Sequence, residues 1–142
     1  MRVWKKGLLV VLSTILFMTL SFNTKAAPTS TVPKAMRGNW YFYDYNSMNH
    51  YLFTKHRIRF DINDKGFRPR IRTIYRKMKL PGHSARTFRG YSFDIDYIYF
   101  PYKLKVAGRY RHVLISTMEQ GPMAIYTHFM PAKTYTINAR MY

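Results

Sequence analysis

Ile58-Arg59-Phe60-Asp61-Ile62-Asn63-Asp64-Lys65-Gly66-Phe67-Arg68-Pro69-Arg70-Ile71-Arg72, running on as Thr73-Ile74-Tyr75-Arg76-Lys77, alternates apolar and basic residues on both sides of an Asn-Asp-Lys-Gly turn. Period-two alternation about such a turn predicts a β-hairpin whose two faces differ in chemistry. In the simplest register Phe60 lies opposite Pro69 and Ile58 opposite Ile71. On the other face Arg59 then meets Arg70, and Arg57 meets Arg72. Like charges directly opposite one another destabilise a sheet, so this row calls for solvent screening or an anionic partner.

Outward from the hairpin the chain keeps the same period. Arg37 to Tyr45 reads as a strand with Trp40 and Phe42 on one side and Tyr41, Tyr43 and Tyr45 on the other. Asn46 to Asn49 is a turn, and His50 to Lys55 leads into the first basic arm. After the second arm, Leu80 to Gly90 is the longest loop signal, with Pro81, Gly82 and Gly90. Tyr91 to Phe100 is again a strand, and its Asp94 and Asp96 are expected to face an arginine row. Pro101 should end it. Tyr102 to Val106, Tyr110 to Met118, Met123 to Met130 and Lys133 to Asn138 complete the set. About eight short strands at this spacing, with no helical period, predict an all-β domain, an antiparallel barrel or a highly curved sheet.

The first residues read as a secretion signal. Arg2, Lys5 and Lys6 precede an apolar run from Gly7 to Phe22, and Thr24-Lys25-Ala26 offers a cleavage site after Ala26. The run has 16 residues, against the ~20 that a spanning helix needs, which favours cleavage over an uncleaved anchor. A secreted, extracellular product is expected. Residues 27–35 read as a flexible linker and 36–142 as a single β domain. Cleavage removes four of the 24 Lys and Arg and none of the six acids, leaving 20 - 6 = +14. That exceeds the roughly 2 to 8 charges usual for a small domain and predicts binding to polyanions. There is no cysteine, so disulfides, thiolate metal sites and a cysteine nucleophile are excluded.

Gly38-Asn39-Trp40 resembles the opening of the first strand in lipocalin and calycin barrels. The resemblance implies a barrel closed at one end by Trp40, with Gly38 before it and Arg140 as partner near the chain end. More broadly, the signal, the Pro-containing segment, Arg37-Gly38-Asn39-Trp40-Tyr41 and a Tyr-, Lys- and Arg-rich β domain resemble small secreted proteins of lactobacilli and related Gram-positive bacteria. That resemblance implies location and no activity.

The candidate anion-binding residues are Arg57, Arg59, Arg68, Arg70, Arg72 and Arg76. Their guanidinium forks suit phosphate and carboxylate, and Tyr75 could stack on a base or sugar. Cell-wall teichoic acid ranks first as partner, and nucleic acid would be bound without sequence preference. Five histidines, His50, His56, His83, His112 and His128, lack the spacing of a metal site. No serine lies in a nucleophile-elbow context, and Asp94 with Asp96 is the one paired-carboxylate arrangement. The leading expectation is therefore a non-enzymatic cationic binding protein without cofactor. A carrier of a small apolar ligand in the barrel is the second, and a cationic antimicrobial or toxin-like protein the third.

Overall fold

A computed structural model describes residues 27–44, 46–61, 63–94, 96–117 and 121–142. The expected signal segment, residues 1–26, lies outside the described residues, as do Tyr45, Ile62, Ile95 and Glu119. After a short 3-10 turn at Lys34–Met36, β1 (Gly38–Asp44), β2 (Ser47–Phe53) and β3 (Ile58–Arg59) form a three-stranded antiparallel sheet. The strands β4 (Arg72–Lys79), β5 (Arg86–Ser92), β6 (Tyr99–Val106), β7 (Arg109–Ser116), β8 (Met123–Tyr126), β9 (Thr136–Ile137) and β10 (Arg140–Met141) form a second sheet in the order β10-β4-β5-β6-β7-β8-β9. The expected all-β, antiparallel, strongly curved architecture is what the chain adopts.

Connectivity explains the curl. β9 and β10 lie at opposite edges of the seven-stranded sheet, yet only Asn138 and Ala139 separate them. So short a link spans roughly 11 Å at most. The sheet therefore rolls into a half-barrel that brings its two edges together.

Both faces of that sheet are used. The concave face holds Met78, Phe88, Phe100, Val113, Ile115 and Ile125, which pack into one core with Leu80, Val106 and Met123. The other face presents Tyr99, Leu114, Ala124 and Tyr126 to Trp40, Phe42 and Phe53 of the small sheet. Double coverage is why Val113 to Ser116 and Met123 to Tyr126 are buried continuously instead of alternating. The bridge Tyr41↔Thr127 ties β1 to the residue that follows β8.

The expected hairpin is divided between the two sheets. Ile58 pairs with Phe53 and, as a single bridge, with Phe67; Ile71 pairs with Thr29. The register that would set Ile58 opposite Ile71 does not form. The cause is local: the Asp64 carboxylate accepts hydrogen bonds from the Phe60 and Gly66 N–H groups at 3.2 and 3.0 Å, which holds residues 59–66 as an eight-residue loop between Ile58 and Phe67 in place of a four-residue one. Beyond Phe67 the chain turns away toward the large sheet. The segment expected to be a flexible linker is docked there, with paired bonds of 2.9 and 2.7 Å between Thr29 and Ile71. Val32 and Met36 supply the reason, since both are fully buried.

Two other expectations change. Asp94 does not face an arginine row: its Oδ1 accepts from the N–H groups of Asp96 and Tyr97 at 3.0 and 2.8 Å, a turn that divides the expected Tyr91 to Phe100 strand between β5 and β6. Pro101 stays inside β6, opposite Leu114. It is tolerated because β5 pairs with β6 only at Tyr91↔Tyr99, so the β5-side edge at Pro101 carries no ladder bond to lose.

Candidate anion-binding surface

The six candidate arginines reach three different settings. Arg57 and Arg59 buttress the turn. An Arg57 guanidinium N–H donates to the Lys65 carbonyl at 3.0 Å, and Arg59 Nε–H donates to the Asp64 carbonyl at 2.6 Å. Arg68, Arg70 and Arg72 are exposed and alternate with buried Pro69 and Ile71, so the period-two pattern survives here with the N-terminal segment as its partner. Arg76 is exposed on β4 opposite Phe88.

Gly66 decides the geometry of the turn. Its φ is +71°, and a Cβ there would lie 2.6 Å from Arg59 Cγ and 2.7 Å from the Ile58 carbonyl oxygen. Gly66→Ala is expected to cost about 1–2 kcal/mol from the left-handed backbone alone, and to displace Arg59 as well. Urea denaturation checks the first effect; the second shows as loss of the Ile58–Phe67 amide protection in hydrogen exchange.

The register of the large sheet creates a cationic face that inspection of the arginine row alone does not reveal. Residues paired across an antiparallel ladder share a face. Lys79 is paired with Arg140, and Tyr75 with Arg89. Lys77 stands between them on the same side of β4. All four cations are exposed. Tyr75 is 60% and Tyr142 62% exposed beside them. Lys77 Nζ stands 6.0 Å from the Tyr142 ring centre, and the Arg89 guanidinium 5.4 Å from that of Tyr91. Lys79 opposite Arg140 is the like-charge cross-strand arrangement that an anion would relieve. Lys77 and Lys79 are visible in the sequence as an i, i+2 pair. Arg89 is not, because only the β4–β5 register brings it beside Tyr75.

Trp40 and Arg140 are not partners. The Trp40 indole donates to the Met36 carbonyl at 2.6 Å and its ring lies 3.7 Å from that of His128, whereas Arg140 sits on the edge strand of the other sheet. Gly38 is close to the same histidine: a Cβ on it would lie 3.1 Å from the His128 ring.

A second basic concavity, of about 540 Å³, lies at β6 and β7, lined by Lys34, Arg37, Lys103, His112 and His128 among others. Beside it, the Arg111 guanidinium stands 4.6 Å from the Phe129 ring centre. Its buried Nε has no hydrogen-bond partner among the described residues. Among the described residues, no three His, Asp or Glu side chains converge as a metal centre. No helix among them is long and apolar enough to cross a membrane. No family model matches the chain, and neither a curated protein nor a solved structure shows similarity to it.

Proposed function

We propose that this chain is a non-enzymatic binding protein that associates electrostatically with anionic polymers, with a phosphate polymer of the cell envelope such as teichoic acid as the physiological class. The observation that carries the reading is the pairing of Lys79 with Arg140, flanked by Lys77 and Arg89 and edged by two exposed tyrosines. Cations on edge strands also discourage sheet-to-sheet association, and that role needs no ligand. Exposed Tyr75 and Tyr142 do not serve it; they give a sugar or base a surface to stack on. Arg68 and Arg70 add positive charge in the segment that leads into β4, whereas Arg72 and Arg76 lie on the opposite face of that strand from Lys77 and Lys79.

The test is retention on purified teichoic acid and on duplex DNA across a salt series. Wild type is expected to elute at rising salt with a steep slope. Substituting Ser at Lys77, Lys79, Arg89 and Arg140 should reduce the slope of log affinity against log salt by roughly 3, at close to one unit for each phosphate no longer neutralised. Ser at Arg57 and Arg59 should change the slope little, because those guanidinium groups bond the turn. Equal retention of wild type and the fourfold variant would overturn the reading, and so would retention that ignores salt.

A further inference from the structure

The two sheets separate at the tip of the β1–β2 hairpin and leave a cavity of about 180 Å³. It is lined by Tyr51, Tyr97, Tyr99 and Tyr126, with Phe42, Asp44 and Asn49 from the hairpin. Among the described residues lining it there is no Lys, Arg or His. In a chain with 24 Lys and Arg against six acids, such a lining sets this cavity apart from the other concave surfaces described above.

The fold accounts for the cluster. Strand alternation puts Trp40, Phe42 and Asp44 on the inner face of β1, and the register places Tyr51 opposite Trp40 and Asn49 opposite Phe42. From the large sheet, Tyr99, Ser116 and Tyr126 rise on the face that meets them. The rings brace one another: Tyr51 stacks on Tyr126 at 5.2 Å, Phe42 lies 5.1 Å from Tyr126, and Tyr99 stacks on Phe93 at 4.8 Å. Burial raises the pKa of Tyr51, Tyr99 and Tyr126 above the usual phenol value, so all three are neutral around pH 7. The Asp44 carboxylate is then the one formal charge on the described wall.

Aromatic rings with one carboxylate form the arrangement that holds an organic ammonium ion, through the negative ring faces and the opposite charge together. The volume is below the roughly 300 Å³ at which drug-sized pockets begin, which suits a head group and not a long chain. We propose that this cavity is a binding site for a small alkylammonium group, with Asp44 as its counter-ion and Tyr51, Tyr97, Tyr99 and Tyr126 as its cage. The site stands apart from the cationic face of β10-β4-β5 and does not depend on polyanion binding.

Titration of the protein with tetramethylammonium, methylammonium, tert-butanol and glucose, followed by the tyrosine ring resonances in NMR, tests this. Saturable shifts of the four cavity tyrosines with an ammonium ion are expected, and none with tert-butanol, which matches tetramethylammonium in shape without its charge. Asp44→Asn, nearly isosteric and at the hairpin tip, should weaken ammonium binding about tenfold or more while the spectrum of the fold is kept. Tyr51→Phe keeps the ring and should retain binding of tetramethylammonium, which needs no hydrogen bond. Binding of tert-butanol as tight as that of tetramethylammonium, binding of glucose alone, an unaffected Asp44→Asn, or no ammonium binding would each overturn the proposal. Since the Lys77, Lys79, Arg89 and Arg140 substitutions leave the cavity intact, failure here is separable from failure of the polyanion reading.

Discussion

Trp40→Ala is expected to lower stability by about 3–5 kcal/mol, the range for truncating a large buried aromatic. Small domains are stable by only about 5–15 kcal/mol, so the variant should be partly or largely unfolded at 37 °C. The indole is 1% exposed, and it joins three parts of the chain. It donates to the carbonyl of Met36 in the 3-10 turn, packs in the core between the two sheets, and covers the His128 ring after β8. Trp40→Phe should recover part of the loss, because a ring returns without the N–H. The measurement is convenient: Trp4 and Trp40 are the two tryptophans, so in residues 27–142 the fluorescence belongs to Trp40 alone. Wild type can be followed by fluorescence and every variant by circular dichroism in urea. A loss below about 1 kcal/mol, the scale of an ordinary substitution, would show that the small sheet is not held through this residue.

Gly90→Ala is expected to cost about 3 kcal/mol, at the upper end of the range for overpacking a core. Gly90 lies within β5, and an added Cβ would meet Phe100 at 2.6 Å and Ile98 at 2.7 Å. Phe100 is wholly buried on the concave face, in edge-to-face contact with Phe88. The missing side chain at Gly90 is what lets the ring lie against the sheet. A second substitution makes the cause testable: Gly90→Ala combined with Phe100→Leu should be less destabilised than the sum of the two singles, because the shorter side chain removes the Phe100 part of the clash and leaves only that with Ile98. Additive losses would mean that β5 is disturbed by something other than the contact with Phe100.

These two positions also show how unevenly a sequence can be read. Trp40 is recognisable as structurally important from its place in an alternating aromatic strand, but the lipocalin resemblance points to Arg140 as its partner. Its neighbours are Met36, four residues earlier, and His128, far along the chain. Gly90 has the look of a loop end. Instead β5 begins at Arg86 and runs through it to Ser92. Nothing local reveals that the Phe100 ring needs the space. The arginine row shows the same division. Exposure of Arg68, Arg70 and Arg72 follows from their alternation with Pro69 and Ile71, whereas the opposing strand does not.

Alternation, turn residues and net charge are properties of neighbouring residues, and they are enough to specify β structure, the absence of disulfides and a strongly positive surface. Which cations share a face depends on register, and a slip of one residue moves every side chain of a strand to the opposite face. Register in turn is set by long-range packing: by Val32 and Ile71 docking the N-terminal segment, by the Asp64–Gly66 turn that draws Phe67 to Ile58, and by the two-residue link that closes β9 onto β10. The Lys77–Lys79–Arg89–Arg140 face and the tyrosine cavity around Asp44 both arise at that level, because each is assembled from strands far apart in the chain.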